Sequence, residues 1–393
     1  MNESTRKELL KGLKRIVIKI GSSVISGSLP GGAKSGGALV RGLSDEMIHH
    51  YAEMARKLTD SGYEVVLVSS GAVMAGRKRL GLNQSNLSIP EKQACAAIGQ
   101  SFLMHTYEKQ FEREGLKVAQ ILLSSDDLEN RKRYLNAKNT IDALLAHRVI
   151  PIINENDSVT VDEIKIGDND TLSATVACLA NAQLLVILSD VDGLYTRDPG
   201  KVGKQYTTPP ELIHIVAGVT PEVEKLAGKS NNRLTVGGMY TKVMAAKKTM
   251  SFGIPTLVVN GLDRKVMDKI IFGETVGTLF WARKGKIKDR KHWIAHTMKP
   301  SGKIVIDAGA RKAIADRGKS LLPAGIIQVE GTFEFGNAVR IFDDEQKEFA
   351  RGLVNYNSRD LDLVKGMKTS AVRSIIGENF YEEVVHRDDL VLL

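Results

Sequence analysis

Residues 149–170 read VIPIINENDSVTVDEIKIGDND, and this stretch decides how the first two-thirds of the chain is organised. It begins as a short apolar run, residues 149–153, of the kind a buried parallel strand shows. The chain then turns densely polar at Asn154, Glu155, Asn156, Asp157 and Ser158. After a short alternating segment a second cluster, Gly167-Asp168-Asn169-Asp170, opens a helical pattern carried by Leu172, Thr175, Val176 and Leu179. In an α/β protein, ligands bind outside the carboxyl ends of the strands, where helix N-termini offer free N–H groups. Two carboxylate and amide clusters so placed suit a charged, polar small molecule. Taken alone, either cluster reads more readily as a turn, because Asn, Asp and Gly populate loops for backbone reasons.

The segments on either side repeat the theme. Residues 15–20 (RIVIKI) form a strand by β-branched content, with Ile16, Ile18 and Ile20 on one face and Val17 and Lys19 on the other. A lysine near the end of a buried strand is costly unless it meets an anion; the alternative is an edge strand with a solvated lysine. Gly21-Ser22-Ser23 follows, a small-residue turn whose N–H groups suit phosphate oxygens. The Gly/Ser/Pro-rich loop SGSLPGGAKSGGA resembles a P-loop only superficially: Ala33 separates Gly32 from Lys34, and no strand feeds it. Ser44 is an N-cap, with Asp45 and Glu46 in the first turn, for a helix ending near Gly62. Residues 63–70 (YEVVLVSS) are the second strand, and Gly71 opens a helix directly from it. Helical patterns at about 90–114 and 130–147 flank a strand near 118–123, and 184–190 (LLVILSD) is another buried strand. Gly237-Gly238-Met239-Tyr240-Thr241-Lys242 opens a helix reaching about Phe252, with a lysine in its first turns. Strands near 255–259 and 277–281 complete an alternation that predicts a mostly parallel sheet covered on both faces.

Composition bounds the function. The chain has 393 residues, enough for two domains, with 42% hydrophobic residues and 5% aromatic. No apolar run approaches the roughly 20 residues of a membrane span, and the N-terminal residues lack a signal-peptide core, so no membrane role is expected. Cys95 and Cys178 sit in helical patterns without metal-ligand spacing and read as reduced, so a cytoplasmic location is expected. The net charge of +9 suits anionic ligands, whether nucleotide or nucleic acid. A basic run, residues 283–291, marks a boundary. Beyond it, segments near 303–307, 326–330, 338–342 and 349–355 predict a small β-rich domain with one helix near 310–317. The expected division is a domain over 1–282, a basic linker over 283–299 and a second domain over 300–393.

The ordered set IKIGSSV, VSSGAV, INENDSV, IGDND, LSDVDGLYTRDP and GGMYTK resembles the amino acid kinase family. IDAGARKAI, GKSLLPAGI, VEGTFEFGNAVRI, ARGLVNYNS and HRDD are similar to the PUA domain attached to many bacterial members. The resemblance implies a three-layer αβα sandwich with a mostly parallel sheet, plus a PUA-like domain. Within the family, NENDSV with GDND points to ATP-dependent phosphorylation of the side-chain carboxylate of L-glutamate, the first step toward proline. Lys19, Lys242 and Asp170 would be catalytic, Asp170 orienting both lysines. Gly21, Ser22 and Gly71 would supply N–H donors to the transferred group, and Ser70, Gly71, Asp157 and Asn169 would hold glutamate. ATP would lie along Lys19, Gly21, Ser22, Ser189, Asp190, Val236, Gly237, Gly238, Met239, Tyr240, Thr241 and Lys242, with Mg²⁺ on its phosphates. The family also implies feedback by proline, a reductase receiving the glutamyl phosphate, and a dimer or tetramer. Glu155 and Asp168 are left as structural or solvated.

The chain departs from the family pattern in three places. Residues 26–37 form a longer Gly-rich insertion after the first strand, Thr235-Val236 replaces a small Gly/Thr pair, and Tyr240 stands where Ser is usual. Two other readings stay open: a sister kinase of aspartate, N-acetylglutamate or a nucleoside monophosphate, and an RNA-binding protein resting on the basic charge and the PUA-like domain.

Overall fold

The first strand, β1 (Arg15–Ile20), lies at the centre of a sheet and not at its edge. The computed structural model describes residues 12–27, 42–82, 87–129, 131–159, 169–199, 208–228, 238–281, 300–376 and 381–393. The chain divides into two compact units, Met1–Leu128 with Asn136–Lys284, and Gly285–Leu393 with Glu129–Leu135.

In the larger unit β2 (Glu64–Ser69), β3 (Lys117–Leu123), β4 (Val149–Glu155), β5 (Leu184–Ser189), β6 (Ile215–Val216), β7 (Thr256–Asn260) and β8 (Thr278–Phe280) join β1 in one sheet. The spatial order is β3-β4-β2-β1-β5-β7-β8-β6. Every pairing is parallel except β7 with β8. Succession runs one way from β1 through β2 and β4, and the other way through β5 and β7. β1 is therefore the topological switch point, where open α/β sheets form ligand crevices.

The alternation in RIVIKI sorts its side chains as the sequence predicts. Ile16, Ile18 and Ile20 join Val65 and Leu67 of β2 in one fully buried core. That core packs against α2 (Asp45–Asp60) through Ile48, Tyr51 and Ala55, and against α4 (Ile89–Arg113) through Leu103, Tyr107 and Phe111. Burying each such large apolar side chain contributes roughly 1.5–3 kcal/mol. Between them come α1 (Ser22–Ile25), a single helical turn where a plain turn was expected, and α3 (Ala72–Leu80). Ser44 caps α2 as expected, accepting from Met47 N–H at 3.2 Å.

The opposite face is covered after α5 (Ser125–Glu129) and α6 (Arg131–Ala146). There α7 (Asn169–Leu179) packs on β1, β2, β4 and β5. Beyond α8 (Pro221–Leu226), α9 (Met239–Ser251) packs on α7 and β7. With α10 (Val266–Ile271) this makes a mostly parallel sheet with helices on both faces.

The smaller unit holds β9 (Gly302–Ile306), β10 (Ile326–Gly331), β11 (Ala338–Phe342), β12 (Glu348–Leu353) and β13 (Leu390–Leu392), ordered β10-β9-β11-β12-β13. β9 and β11 are parallel and the other pairs antiparallel. The expectation of one helix is corrected, since this unit has α11 (Ala308–Arg317), α12 (Ser358–Val364) and α13 (Thr369–Ile376). Leu361, Val364 and Val372 of the two missed helices are fully buried in its core, so tertiary packing supports elements too short to show a clear period. The expected linker over 283–299 lies outside the described residues.

Candidate active site

Four strand ends deliver the polar residues. At the end of β1, Lys19 turns toward α7, and its ammonium lies 2.6 Å from Asp170 Oδ1. The second residue of α7 is Asp170, and its other oxygen takes Lys242 Nζ of α9 at 3.0 Å. Thr241 Oγ1 shares its proton between Asp170 Oδ2 at 2.8 Å and the Gly238 carbonyl at 2.7 Å. Asp170 is fully buried, and the two lysines are each only 5% exposed, which rules out a solvated lysine on an edge strand. Burial alone would push the Asp170 carboxyl up. The ammonium groups of Lys19 and Lys242, with the hydrogen bonds from Lys19 and Thr241, outweigh it and hold the pKa at about 2. One carboxylate thus faces two cations, leaving net positive charge among buried side chains. A phosphate chain is the anion such a pair suits.

Backbone geometry leaves room beside Lys19. Gly21 follows β1 as the N-cap of α1, and an ideal Cβ there would sit 3.7 Å from Lys19 Nζ. The Gly21 N–H is directed to the Leu188 carbonyl at 3.4 Å, so within this turn the first-turn N–H of Ser22 is the better donor. At the end of β2, Ser70 N–H donates to the Ile20 carbonyl at 3.1 Å, tying the two strand ends together. Gly71 then caps α3 with φ of 108°, a left-handed conformation that favours glycine.

A second group gathers around Asn169, the first residue of α7. Its Nδ2 donates to Ser70 Oγ at 2.8 Å, to the Ser69 carbonyl at 3.2 Å and to Asn154 Oδ1 at 3.2 Å. Asn169 Oδ1 is buried and has no hydrogen-bond partner among the described residues. Asp157 lies just past β4, half-buried, with no ion pair or hydrogen bond among the described residues, and burial raises its pKa. The unpartnered amide oxygen calls for a hydrogen-bond donor and the partly desolvated carboxylate for a cation, and one ammonium group offers both.

At the end of β5, Ser189 is buried, with its hydroxyl 3.3 Å from Asp190 Oδ1. Gly238 caps α9, whose first turns hold Met239, Tyr240, Thr241 and Lys242. The structure therefore brings Lys19, Asp170, Thr241 and Lys242 into one cluster and Ser70 with Asn169 into another. Asp157, Ser189 and Asp190 share the same carboxyl edge of the sheet. Val236 and Gly237 lie outside the described residues, as does Asp168. Glu155 is buried and not solvated. Sequence reasoning gave no role to Asn154, Ser69 or Gln100. Asn154 is 2% exposed near the end of a strand buried from Ile150 onward, and an amide closing an apolar run is the signal that marks it.

The sequence signature of the amino acid kinase family matches residues 14–260, and that of the PUA domain matches residues 302–376. The chain is similar to the glutamate 5-kinase of Citrifermentans bemidjiense, 48% identical over 390 residues that cover 99% of this chain and 100% of that one. It is equally similar to the glutamate 5-kinase of Geobacter sulfurreducens, 48% identical over 390 residues, again 99% and 100%. The glutamate 5-kinase of Thermoanaerobacter sp. strain X514 is 44% identical over 379 residues, 96% of this chain and 98% of that one.

Proposed function

This chain belongs to the amino acid kinase family and carries a C-terminal PUA domain, and from that premise we propose how it phosphorylates L-glutamate to L-glutamyl 5-phosphate with ATP, the first step of proline biosynthesis. The observation that supports this reading most directly is the buried Lys19–Asp170–Lys242 arrangement at the switch point of the sheet. Phosphoryl transfer asks a protein for positioning and charge stabilisation more than for covalent chemistry.

In this reading Lys19 meets the transferring phosphoryl group and Lys242 the nucleotide phosphates, while Asp170 fixes both ammonium groups. Ser22 and Gly71 direct N–H donors at the transferred group. The bare Cα of Gly21 leaves the space beside Lys19 open. Ser189, Asp190 and the 238–242 segment line the nucleotide. Ser70, Asn169 Oδ1 and Asp157 receive the amino acid, the last two suited to its α-ammonium. One oxygen of the side-chain carboxylate attacks the γ-phosphorus in line, and the bond to the bridging oxygen breaks with its electron pair leaving on ADP. No general base is needed, because the carboxylate is already ionised at neutral pH.

Mg²⁺ fits as an ion carried by the nucleotide, since Asp170 is engaged by two lysines and a threonine and phosphate oxygens with water can supply the coordination. When bound, it neutralises charge on the phosphate chain. The same reading brings L-proline as feedback inhibitor, a dimer or tetramer in the cytoplasm, and a glutamyl phosphate reductase to consume the labile acyl phosphate. An RNA contact through the smaller unit has less support. Its Phe342 ring lies beneath Arg340 at 5.5 Å and Lys303 at 4.9 Å, a covered ring and not an open platform for a base.

Hydroxylamine trapping tests the reading. Protein with Mg-ATP and hydroxylamine is expected to yield hydroxamate from glutamate, and none from aspartate or N-acetylglutamate. The signal is expected to vanish in Lys19→Ala. Folded protein that binds ATP yet gives no hydroxamate from any of the three would overturn the assignment.

A further inference from the structure

We infer that Gln100 is a positioning residue that, through Asn154, helps hold the Asn169 amide with its oxygen toward the substrate, and hence that the site selects an amino acid over the corresponding dicarboxylate. The inference rests on the proposed docking of an α-ammonium at Asn169. Its basis is a chain of three amides whose polarity two backbone groups determine. The Ser69 carbonyl can only accept, so the Asn169 atom 3.2 Å from it must be nitrogen. The Glu155 N–H can only donate, so the Asn154 atom 2.9 Å from it must be oxygen. That oxygen also receives Asn169 Nδ2 at 3.2 Å. Asn154 Nδ2 then points the other way, to Gln100 Oε1 at 2.8 Å.

Gln100 closes the chain from outside the sheet. It sits on α4, and three and seven residues further on come Leu103 and Tyr107, all on one helical face. Leu103 fills the core under β1 and β2, while Tyr107 Oη meets Ser69 Oγ at 2.9 Å. Burial pushes the Tyr107 phenol well up, so it remains a neutral hydroxyl. One face of α4 thus supports two strand ends, at Ser69 through Tyr107 and at Asn154 through Gln100. The consequence lands on Asn169: its nitrogen is consumed by the protein, and its oxygen is left for a ligand that donates. With leucine at position 100 the buried Asn154 amide nitrogen has no acceptor, and its side chain gains by leaving this rotamer. Asn169 then loses one of the anchors that hold its oxygen toward the ligand.

The test compares L-glutamate with glutarate, which keeps both carboxylates and lacks the ammonium. Binding of each is measured by calorimetry on the full chain and on Gln100→Leu, Gln100→Glu and Gln100→Lys. The unsubstituted chain is expected to prefer glutamate. Gln100→Leu is expected to lower that preference by about three- to tenfold through weaker glutamate binding, the worth of a buried hydrogen bond, with ATP affinity unchanged. Gln100→Glu keeps an acceptor facing Asn154 and is expected to retain the preference. Gln100→Lys offers only donors and is expected to lose it, which keeps the test decisive if the leucine variant does not fold. An unchanged preference in the leucine and lysine variants, or an equal loss in the glutamate variant, would overturn the inference. No preference in the unsubstituted chain would instead overturn the docking of the ammonium.

Discussion

Lys19 Nζ lies 2.6 Å from Asp170 Oδ1, the lysine at the end of the central strand and the aspartate at the start of the helix that covers it, with both side chains shut away from water. The same carboxylate takes Lys242 at 3.0 Å, so the cluster carries two cations and one anion. Desolvation of three charges is only partly offset by their attraction, and removing the shared anion leaves two buried cations facing each other.

Asp170→Asn is therefore expected to lose about 3–5 kcal/mol of stability in nucleotide-free protein. Phosphate then becomes the replacement anion, so a non-hydrolysable ATP analogue is expected to raise the melting temperature of the variant more than that of the parent. Activity is expected to fall by about 10²–10³-fold. The folded pKa is depressed to about 2 from the ordinary 3.8, so Asp170 contributes stability that is fully present above about 3.8 and is lost as pH falls through about 2. Urea unfolding of parent and variant over that window is expected to show the gap closing on the acid side. A gap independent of pH would reject the ion pair as its source.

Thr241 supplies a third bond to the same carboxylate, at 2.8 Å to Oδ2. Thr241→Val keeps the shape and removes the proton. Hydrogen bonds to charged groups contribute roughly 1.5–3 kcal/mol, so kcat is expected to fall about ten- to hundredfold while the KM for glutamate changes little. Thr241→Ser is expected to recover most of the loss. Equal kinetics for valine and serine would leave this hydroxyl without a role in holding Asp170.

How much of this was legible beforehand depends on the range over which each feature is encoded. LLVILS and VIPIINE were readable because a parallel strand buried on both faces needs an apolar run, and RIVIKI because of its β-branched content, so each segment supplies its own signal. Lys19 stood out because a lysine near the end of such a strand is costly unless it meets an anion. Ile215–Val216 and Pro221–Leu226 were not readable, since two residues hold a single strand period and six hold less than two helical turns, and neighbouring packing decides their state. The contact of Gln100 with Asn154 spans 54 positions, and nothing local to either residue announces the other. What the chain does carry locally is the anomaly: an amide on the apolar face of a helix that continues through Leu103 and Tyr107.

The crossing of α3 and α4 is the tightest of these long-range features. An ideal Cβ on Gly99 would sit 1.8 Å from the Ala72 carbonyl oxygen, and one on Gly76 would sit 1.9 Å from that of Cys95. Because both obstacles are backbone, the helices must move apart to admit a methyl group. Gly99→Ala is expected to cost about 1–3 kcal/mol or more, measured by urea unfolding. Gly81→Ala is the control: its φ of 66° is left-handed but the space around it is open, so its cost is expected to be about 1 kcal/mol. Since Gly71 caps α3 and α4 carries Gln100, the Gly99 variant is also expected to raise the KM for glutamate.

Asp157 poses the reverse of the Asp170 problem, a carboxylate that burial disfavours and no described residue neutralises. Its pKa is raised above the ordinary 3.8 by desolvation, so ionised Asp157 costs stability at pH values above its folded pKa, and the cost disappears below the unfolded value. At neutral pH Asp157→Asn is therefore expected to stabilise the ligand-free protein, seen as a higher melting temperature. Glutamate binding is expected to move the other way. The α-ammonium and a proton compete for the same carboxylate, so the KM for glutamate is expected to climb on acidification, beginning above the ordinary carboxylate range. In Asp157→Asn the KM is expected to be high at neutral pH and to lose that part of the dependence. What remains is the titration of the substrate's own side chain, which is common to both proteins and cancels in their ratio. A ratio of KM values that does not vary with pH would remove Asp157 from the ammonium site. A ratio that narrows as pH falls, together with the higher melting temperature, would mean that this carboxylate trades stability of the empty site for recognition of its ligand.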